Sequence, residues 1–221
     1  MDLLLILVMI LIPLIADLNV KRTYKKYLGV KNTDGLTGQE VARKILDKNG
    51  LENVYVVETS GYLSDHYDPK RKTVRLSKAV FEGETVASIA IAAHECGHAI
   101  QDKEGYLYMK VRSAIFPIVN IATSISYYIL LIGFLLQILD LVYLGIAFTA
   151  LGLIFQIVTL PVEFNASARA QKELEALHLV KKEEETGVKK VLKSAALTYV
   201  AGVLASAAQI IRLILVARNN D

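Results

Sequence analysis

The segment IAIAAHECGHAIQ, residues 89–101, places two histidines four positions apart in an otherwise apolar run. An α-helix has about 3.6 residues per turn, so side chains at positions i and i+4 lie on the same face. If the segment is helical, His94 and His98 can present both imidazoles to one point. Its length and alanine content favour a helix over residues 84–101. The pattern predicts either a metal site or a helix that buries two histidines in the core of the protein.

Glu95 favours the metal site. Neutral imidazole is a good zinc ligand, and a catalytic zinc site combines three protein ligands with one water. The carboxylate of Glu95 can reach this water and accept its proton, whereas a carboxylate buried beside core histidines would be costly. The H-E-x-x-H pattern therefore predicts a catalytic metal site. Cys96 is expected to be a small packed side chain, and Gly97 to lie where another element packs closely.

A third ligand must come from elsewhere in the chain. The candidates are Glu163, His178, His66 and acids such as Asp102. Glu163 is favoured because it follows the apolar segment that ends near Pro161. It is also expected to open a helix there. A carboxylate just outside an apolar segment can also be a solvated residue that only marks the end of that segment. Because the two histidines need a third ligand, the role of ligand is favoured for Glu163.

The composition limits the class of protein. More than half of the 221 residues are apolar (53%), and the formal net charge is only +3. So small a charge argues against a dedicated nucleic-acid binder. The single cysteine, Cys96, excludes an internal disulfide framework.

The apolar residues are concentrated in segments that are predicted to cross a membrane. A bilayer core of about 30 Å requires about 20 apolar residues in a helix. Residues 1–18 are interpreted as an N-terminal transmembrane anchor. Residues 114–162 carry one charged side chain, Asp140, and are predicted to form a transmembrane hairpin that turns around Leu139 to Leu141. Residues 194–216 are expected to form a C-terminal transmembrane or membrane-packed helix.

Basic residues predict the orientation of these segments, because loops rich in Lys and Arg remain in the cytoplasm. The anchor is followed by KRTYKK at residues 21–26, and the turn of the hairpin contains no Lys or Arg. The feet of the hairpin are flanked by Lys103, Lys110, Arg112, Arg169 and Lys172. Both observations predict a multi-pass protein of the cell (inner) membrane with its active site on the cytoplasmic face.

The remaining segments have the composition of a soluble domain. Residues 19–113 carry HECGH, and residues 163–193 are expected to form a cytoplasmic helix that carries the third ligand. Thr37 and Glu40 predict a capping box at the start of a helix. A short strand is predicted near residues 54–59 and a β-hairpin over residues 64–77. The last five residues of this hairpin, Thr73 to Ser77, alternate like a half-exposed edge strand, which in zinc peptidases often pairs with an extended substrate.

Three motifs together resemble the YugP family of membrane zinc peptidases, and the resemblance covers essentially the whole chain. The motifs are AAHECGHAIQ, GYLSDHYDPKRKTVRLS and LPVEFNASARA. More distantly, the chain is similar to the HtpX and CAAX-processing membrane peptidases. The resemblance implies that His94, His98 and Glu163 are ligands of one Zn²⁺ per chain and that Glu95 is the general base.

The resemblance also directs attention to residues around these ligands. The distant relatives usually have Ala-Asp where this chain has Ala166 and Ser167, so a hydroxyl replaces a carboxylate that would orient a histidine ligand. His66 and Arg169 are weaker candidates for contacts to the substrate or to the transition state. A surface turn residue and a solvated helix charge are the alternatives for these two side chains.

These observations predict an integral membrane zinc endopeptidase that hydrolyses peptide bonds by a metal-activated water. Its fold class is expected to be α+β and mainly helical. A zincin-like catalytic domain with a small β-hairpin or sheet is combined with three to four transmembrane helices. The expected partners are membrane lipid and polypeptide substrates, membrane-associated ones among them. The alternative is a non-catalytic membrane scaffold with a structural zinc site, for which His66 or His178 would supply a fourth protein ligand.

Overall fold

The computed structural model describes residues 2–219, with side chains for residues 3–218, so the first residue of the predicted anchor lies outside the described residues. The chain is mainly helical with one small sheet, as predicted. In chain order the elements are α1 (Asp2–Leu28), α2 (Gly38–Lys48), β1 (Tyr55–Thr59), β2 (His66–Asp68), β3 (Thr73–Ser77), α3 (Lys78–Phe81), α4 (Val86–Glu104), α5 (Leu107–Leu135), α6 (Leu139–Ala176) and α7 (Lys182–Asn219).

Helices α1, α5, α6 and α7 are long and apolar enough to cross a membrane. Within residues 3–218 they are the four helices that meet this criterion. Their most apolar windows are only 0%, 22%, 17% and 17% buried inside the structure. So much exposed apolar surface is unfavourable in water and favourable in lipid. The prediction of three to four transmembrane helices is confirmed with four candidates.

The described chain divides into two compact units. One contains residues 2–17, 110–161 and 197–219, and the other contains residues 18–109 and 162–196. The main hydrophobic core lies in the second unit. Its largest fully buried apolar side chains include Ile45, Leu46, Leu76, Ile89 and Leu174, which come from α2, β3, α4 and α6. The residues of the HECGH motif are therefore carried by a helix that is part of this core.

Helix α2 begins as its sequence predicts. The side chain of Thr37 accepts a hydrogen bond from the backbone N–H of Glu40 (3.2 Å), and the Glu40 carboxylate accepts one from the backbone N–H of Thr37 (2.8 Å). The helix buries Val41, Ala42 and neighbouring apolar residues on one face. Because this face packs against α4, the capping box fixes the start of a helix that supports the HECGH motif.

The sheet confirms the predicted hairpin but corrects its exposure. β2 pairs antiparallel with β3, and β1 pairs with β3 in parallel, which gives the order β1-β3-β2. The expectation that Thr73 to Ser77 form a half-exposed edge is therefore wrong, because they form the central strand and four of the five are buried. The prediction failed because polar side chains in an alternating pattern were taken as exposed. In the structure the hydroxyl of Thr73 donates to the carbonyl of Arg71, and that of Ser77 donates to Asp65, so both can be buried.

The surroundings of Glu163 also differ from the expectation. Glu163 does not open a helix, because α6 continues without interruption from Leu139 to Ala176 with Pro161 inside it. Proline removes one backbone hydrogen bond, a loss that apolar helices tolerate when neighbouring groups compensate. The hairpin turn lies at residues 136–138 rather than around Leu139 to Leu141, and Gln137 adopts a left-handed φ of 56° there.

The segment 163–193, which was expected to be one helix, contains the end of α6, a turn at residues 177–181 and the start of α7. His178 lies in this turn with a φ of 54°. Gly187 lies inside α7. A Cβ at Gly187 would be 2.8 Å from a ring carbon of Tyr27 and 2.9 Å from a methyl carbon of Val86. This glycine therefore permits close packing.

Gly97 marks the close packing of α4 against α6, as its lack of a side chain predicts. A Cβ at Gly97 would lie 2.5 Å from the carbonyl oxygen of Ala166. Backbone atoms cannot yield as the end of a flexible side chain can. The contact brings the HECGH face of α4 against the segment of α6 that contains Glu163.

Replacing Gly97 with Ala is expected to lower the free energy of unfolding by about 1–3 kcal/mol, because overpacking forces neighbouring backbone to shift. Gly29→Ala is the matched control, since its Cβ would lie 3.4 Å from the nearest atom, the carbonyl oxygen of Lys26. Thermal unfolding of both variants in one detergent measures the difference. Equal midpoints for the two variants would mean that α4 and α6 can move apart here without cost.

Candidate metal centre

Helix α4 carries three of the candidate residues. The helix begins at a cap in which the Thr85 hydroxyl accepts a hydrogen bond from the backbone N–H of Ser88 (3.2 Å). His98 and Glu95 are buried, with 8% and 7% of their surface exposed, and His94 is half-buried. Polar groups buried to this degree are unfavourable unless partners satisfy them. The site is therefore defined by what these side chains contact.

Glu163 of α6 faces both histidines. Its Oε2 atom lies 3.4 Å from Nε2 of His94 and 3.6 Å from Nε2 of His98. One potential ligand atom from each of the three residues lies within 4.8 Å of the others. Glu163 itself is 3% exposed. The structure thus brings together the two motif histidines and the acid that was favoured as the third ligand.

The outer nitrogen of each imidazole has a hydrogen-bond partner. Nδ1 of His98 donates to Oε1 of Gln101 (3.0 Å), because an amide oxygen can only accept. Nδ1 of His94 lies 3.2 Å from the hydroxyl oxygen of Ser167. Such contacts set the tautomer and the ring orientation of a metal-binding histidine. When the imidazole of His98 is neutral, its Nε2, which faces Glu163, is therefore the nitrogen without a proton.

Gln101 was not identified from the sequence. It is fully buried, and its amide nitrogen donates to the carbonyl oxygen of Val162 (2.8 Å) and to Oδ1 of Asn165 (3.0 Å). These two acceptors fix which end of the amide faces His98. The signal was present in the sequence, because Gln101 is the polar residue three positions after His98, on the same helix face.

Arg169 extends this hydrogen-bonded group on α6. Its Nε donates to Oδ1 of Asn165 (2.7 Å), and its guanidinium lies 2.6 Å from the carboxylate of Glu104. The second contact joins α6 to the last turn of α4. Arg169 was expected to contact the substrate or the transition state, with a solvated helix charge as the alternative. In the structure it pairs with these two side chains.

The other candidate ligands have different partners. His66 is exposed, and its Nδ1 lies 2.7 Å from the carbonyl oxygen of Ser64. His178 is exposed in the turn after α6. Asp102 accepts hydrogen bonds from the Tyr67 hydroxyl (2.8 Å) and the Lys72 ammonium (2.6 Å). Among the residues that the structure describes, none of these three joins the donor group of His94, His98 and Glu163.

Glu95 and Cys96 differ in their surroundings although they are neighbours in sequence. Burial raises the pKa of the Glu95 carboxyl, while His94 and His98 act in the opposite direction. Cys96 is buried, and its Sγ lies 3.5 Å from the carbonyl oxygen of Ala42. The cysteine is therefore a small packed side chain, as predicted, and the structure places it against α2. Glu95 is a carboxyl group whose environment favours uptake of a proton.

The donor set fits a zinc ion. Two imidazoles and one carboxylate form one of the ligand sets found in catalytic zinc sites. Ligand atoms at about 2.0–2.1 Å from a tetrahedral zinc ion lie about 3.3 Å from one another. The separations of 3.4 Å and 3.6 Å between Glu163 and the two histidines are close to this value. The three residues could therefore hold a divalent metal ion.

Comparisons with known proteins agree with this chemistry. The profile of a family described as "Putative neutral zinc metallopeptidase" matches residues 2–218. The chain is 45% identical over 204 residues to "Putative membrane protease YugP" of Bacillus subtilis (strain 168), with 92% of this chain and 91% of that protein covered. No solved structure shows a significant match. The resemblance predicted from the three motifs is confirmed.

Proposed function

Because the chain belongs to the family described as "Putative neutral zinc metallopeptidase", we propose that it is an integral membrane zinc endopeptidase with Glu95 as its general base. One observation carries this proposal. Two histidines of α4 and one glutamate of α6 converge in a buried site, and Glu95 follows the first of these histidines. These are the residue types that metal-assisted peptide hydrolysis requires.

His94, His98 and Glu163 would hold one Zn²⁺ per chain. The bound metal ion supplies Lewis acidity, which polarises a carbonyl group and makes water acidic enough to lose a proton near neutral pH. Gln101 and Ser167 hold the two imidazole rings in orientation through their Nδ1 atoms. The relatives with Asp at position 167 would use a carboxylate for the contact that Ser167 makes here with its hydroxyl.

Glu95 would transfer a proton from the attacking water to the leaving amine. Its carboxylate accepts a proton from the water whose oxygen forms a bond to the peptide carbonyl carbon. When the C–N bond breaks, the same carboxyl group gives this proton to the leaving amine. Burial favours the protonated state that lies between these two steps, since it raises the pKa of Glu95. The products are a free carboxyl and a free amino terminus.

The structure gives less support to the scaffold alternative. Structural zinc sites usually close all four positions with protein ligands. Within the described part of the chain, three protein donors lie together, and His66 and His178 are not among them. Three protein donors leave a position for water, which supports an enzyme.

We also propose the arrangement of the chain in the cell (inner) membrane. The anchor at residues 1–18, the hairpin at 114–162 and the helix at 194–216 would cross or line the bilayer. Residues 19–113 and 163–193 would lie on the cytoplasmic face, because basic residues follow the anchor and flank both ends of the hairpin, whereas the turn of the hairpin has none. Polypeptides at or near the membrane are the substrates that such a site would meet first.

Removal of the metal tests the proposed activity. We expect the purified protein to contain about one zinc per chain, consistent with three protein ligands. A chelator should reduce casein cleavage to the background rate, and added Zn²⁺ should restore it, whereas added Mg²⁺ should not because it prefers oxygen ligands. Cleavage that continues at the original rate after the zinc has been removed would contradict a metallopeptidase.

A further inference from the structure

A groove between α6 and α7 lies outside the donor group of the candidate metal centre. We call it the α6–α7 groove. It is an open cavity of about 440 Å³, within the size range of small-ligand sites. Its rim carries three lysines, Lys172 on α6 and Lys189 and Lys193 on α7, together with one acid, Glu175. The proposed proteolysis does not use these four side chains.

The charge of the groove is positive. Lys189 lies 3.2 Å from Glu185 and 3.8 Å from Glu175, so these acids offset its charge. Lys172 and Lys193 are exposed and, within residues 3–218, form no ion pair shorter than 4.0 Å. Lys172 on α6 and Lys193 on α7 thus line one cavity, and in the described part of the chain neither has an ion-pair partner. Such an arrangement favours an anionic ligand.

The groove has apolar lining residues at the two points where α6 and α7 continue along the sequence into their membrane segments. Phe164 lies three residues after Pro161, where the apolar part of α6 ends. Ala196 lies near the start of the apolar segment 194–216 of α7. Cationic side chains beside an apolar wall, at the ends of membrane helices, match an amphiphile with an anionic head. Basic pockets between membrane helices on the cytoplasmic side bind lipid headgroups in this way.

We propose that the α6–α7 groove binds the phosphate-bearing headgroup of an anionic phospholipid, whose acyl chains remain in the bilayer. Lys172 and Lys193 contact the phosphate from opposite sides of the groove. The half-buried side chain of Gln171 also lines the groove and would bond a headgroup hydroxyl. A zwitterionic headgroup binds less well, because its own cation repels the two lysines. This lipid site does not depend on the proposed peptidase activity.

An acidic polypeptide segment is the competing occupant. Ser167 lines the groove and also contacts His94, so a substrate with acidic residues could in principle use the same lysines. The lipid is favoured because the apolar wall adjoins the membrane segments in both helices. The experiment below includes both ligands, and free phosphate as well.

The test uses the full-length, zinc-loaded protein in a neutral detergent, with bound lipid measured by native mass spectrometry. We expect retention of phosphatidylglycerol and little retention of phosphatidylcholine with the same acyl chains. Lys172→Gln with Lys193→Gln should weaken phosphatidylglycerol binding at least tenfold. Lys182→Gln with Lys190→Gln removes the same charge from exposed residues of α7 outside the groove and should have no effect. Lys172→Arg with Lys193→Arg should retain the binding.

Zinc content and the thermal midpoint identify a variant that has lost its fold, and the single variants Lys172→Gln and Lys193→Gln, each of which should bind less phosphatidylglycerol than the wild type, then replace the double variant. Equal phosphatidylglycerol binding by the wild type and by a folded Lys172→Gln, Lys193→Gln variant would overturn the proposal. So would displacement of the lipid by an equal concentration of inorganic phosphate, which would mean that the site holds a free anion. Lysine-dependent binding of an acidic peptide without lysine-dependent binding of phosphatidylglycerol would also overturn it. Casein cleavage enters none of these outcomes, so they do not depend on the proposed peptidase activity.

Discussion

Replacing Glu95 with Gln should abolish casein cleavage while leaving zinc bound. Glutamine has nearly the shape of glutamate but cannot accept a proton, so the water that attacks the peptide loses its base. General base catalysis typically contributes about 10²–10⁴-fold to a rate, and we expect a loss in this range. Glu95 lies outside the donor group of His94, His98 and Glu163, so the metal content should not change.

The measurement pairs casein turnover with zinc analysis of the same preparation. Glu52→Gln is the matched control, because it makes the same chemical change at an exposed residue before β1. We also expect the thermal midpoint of Glu95→Gln to equal or exceed that of the wild type, since the substitution removes a buried ionisable group. Turnover at the wild-type rate with zinc present would mean that another group accepts the proton.

The local part of the site was predictable from the sequence. The spacing of His94 and His98 fixes their common face as soon as the segment is helical. The capping box of Thr37 and Glu40 marked the start of α2 correctly. Gly97 predicted a close approach, although its partner, the backbone of Ala166, could not be named. Each of these features depends on residues within one or two helical turns.

Long-range contacts account for what the sequence did not reveal. The spacing of Gln101 from His98 was visible in the sequence, but the acceptors that fix its amide, Val162 and Asn165, lie about sixty positions later in the chain. Thr73 and Ser77 suggested a half-exposed strand because they are polar, but hydrogen bonds to the carbonyl of Arg71 and to Asp65 satisfy their hydroxyl groups in the buried strand β3. A sequence pattern shows which residues are polar, but it does not show which hydrogen-bond partner allows a polar side chain to be buried.

The prediction of where α6 ends was wrong for a related reason. Pro161 was read as the end of a membrane helix, and Glu163 as the start of the next one. In α6 the helix continues through the proline. As a result, Glu163 is fixed by a rigid helix rather than by a loop, and this helix also carries Asn165 and Ser167. A single element therefore supplies the third donor and contacts to the surroundings of both histidines.

Replacing Glu163 with Ala should cost the protein its zinc. The change removes one of three donors, and it leaves His94 and His98 as the remaining pair on α4. Loss of a partner behind a ligand typically weakens metal binding by about 10–100-fold, and loss of the ligand itself should exceed this range. We expect the zinc content after dialysis to fall from about one per chain to near zero, as in a catalytic site with too few ligands. Casein cleavage should fall with it.

Glu175→Ala is the control on the same helix, because Glu175 is exposed about three turns nearer the end of α6 and lies outside the donor group. It should retain both zinc and activity. His94→Ala should reproduce the loss seen for Glu163→Ala, since either change leaves two donors, and two donors on flexible side chains hold zinc weakly. If Glu163→Ala instead keeps a full complement of zinc, the third ligand must be another residue. His66, His178 and Asp102 would then have to be tested in turn, and α6 would no longer be part of the metal centre.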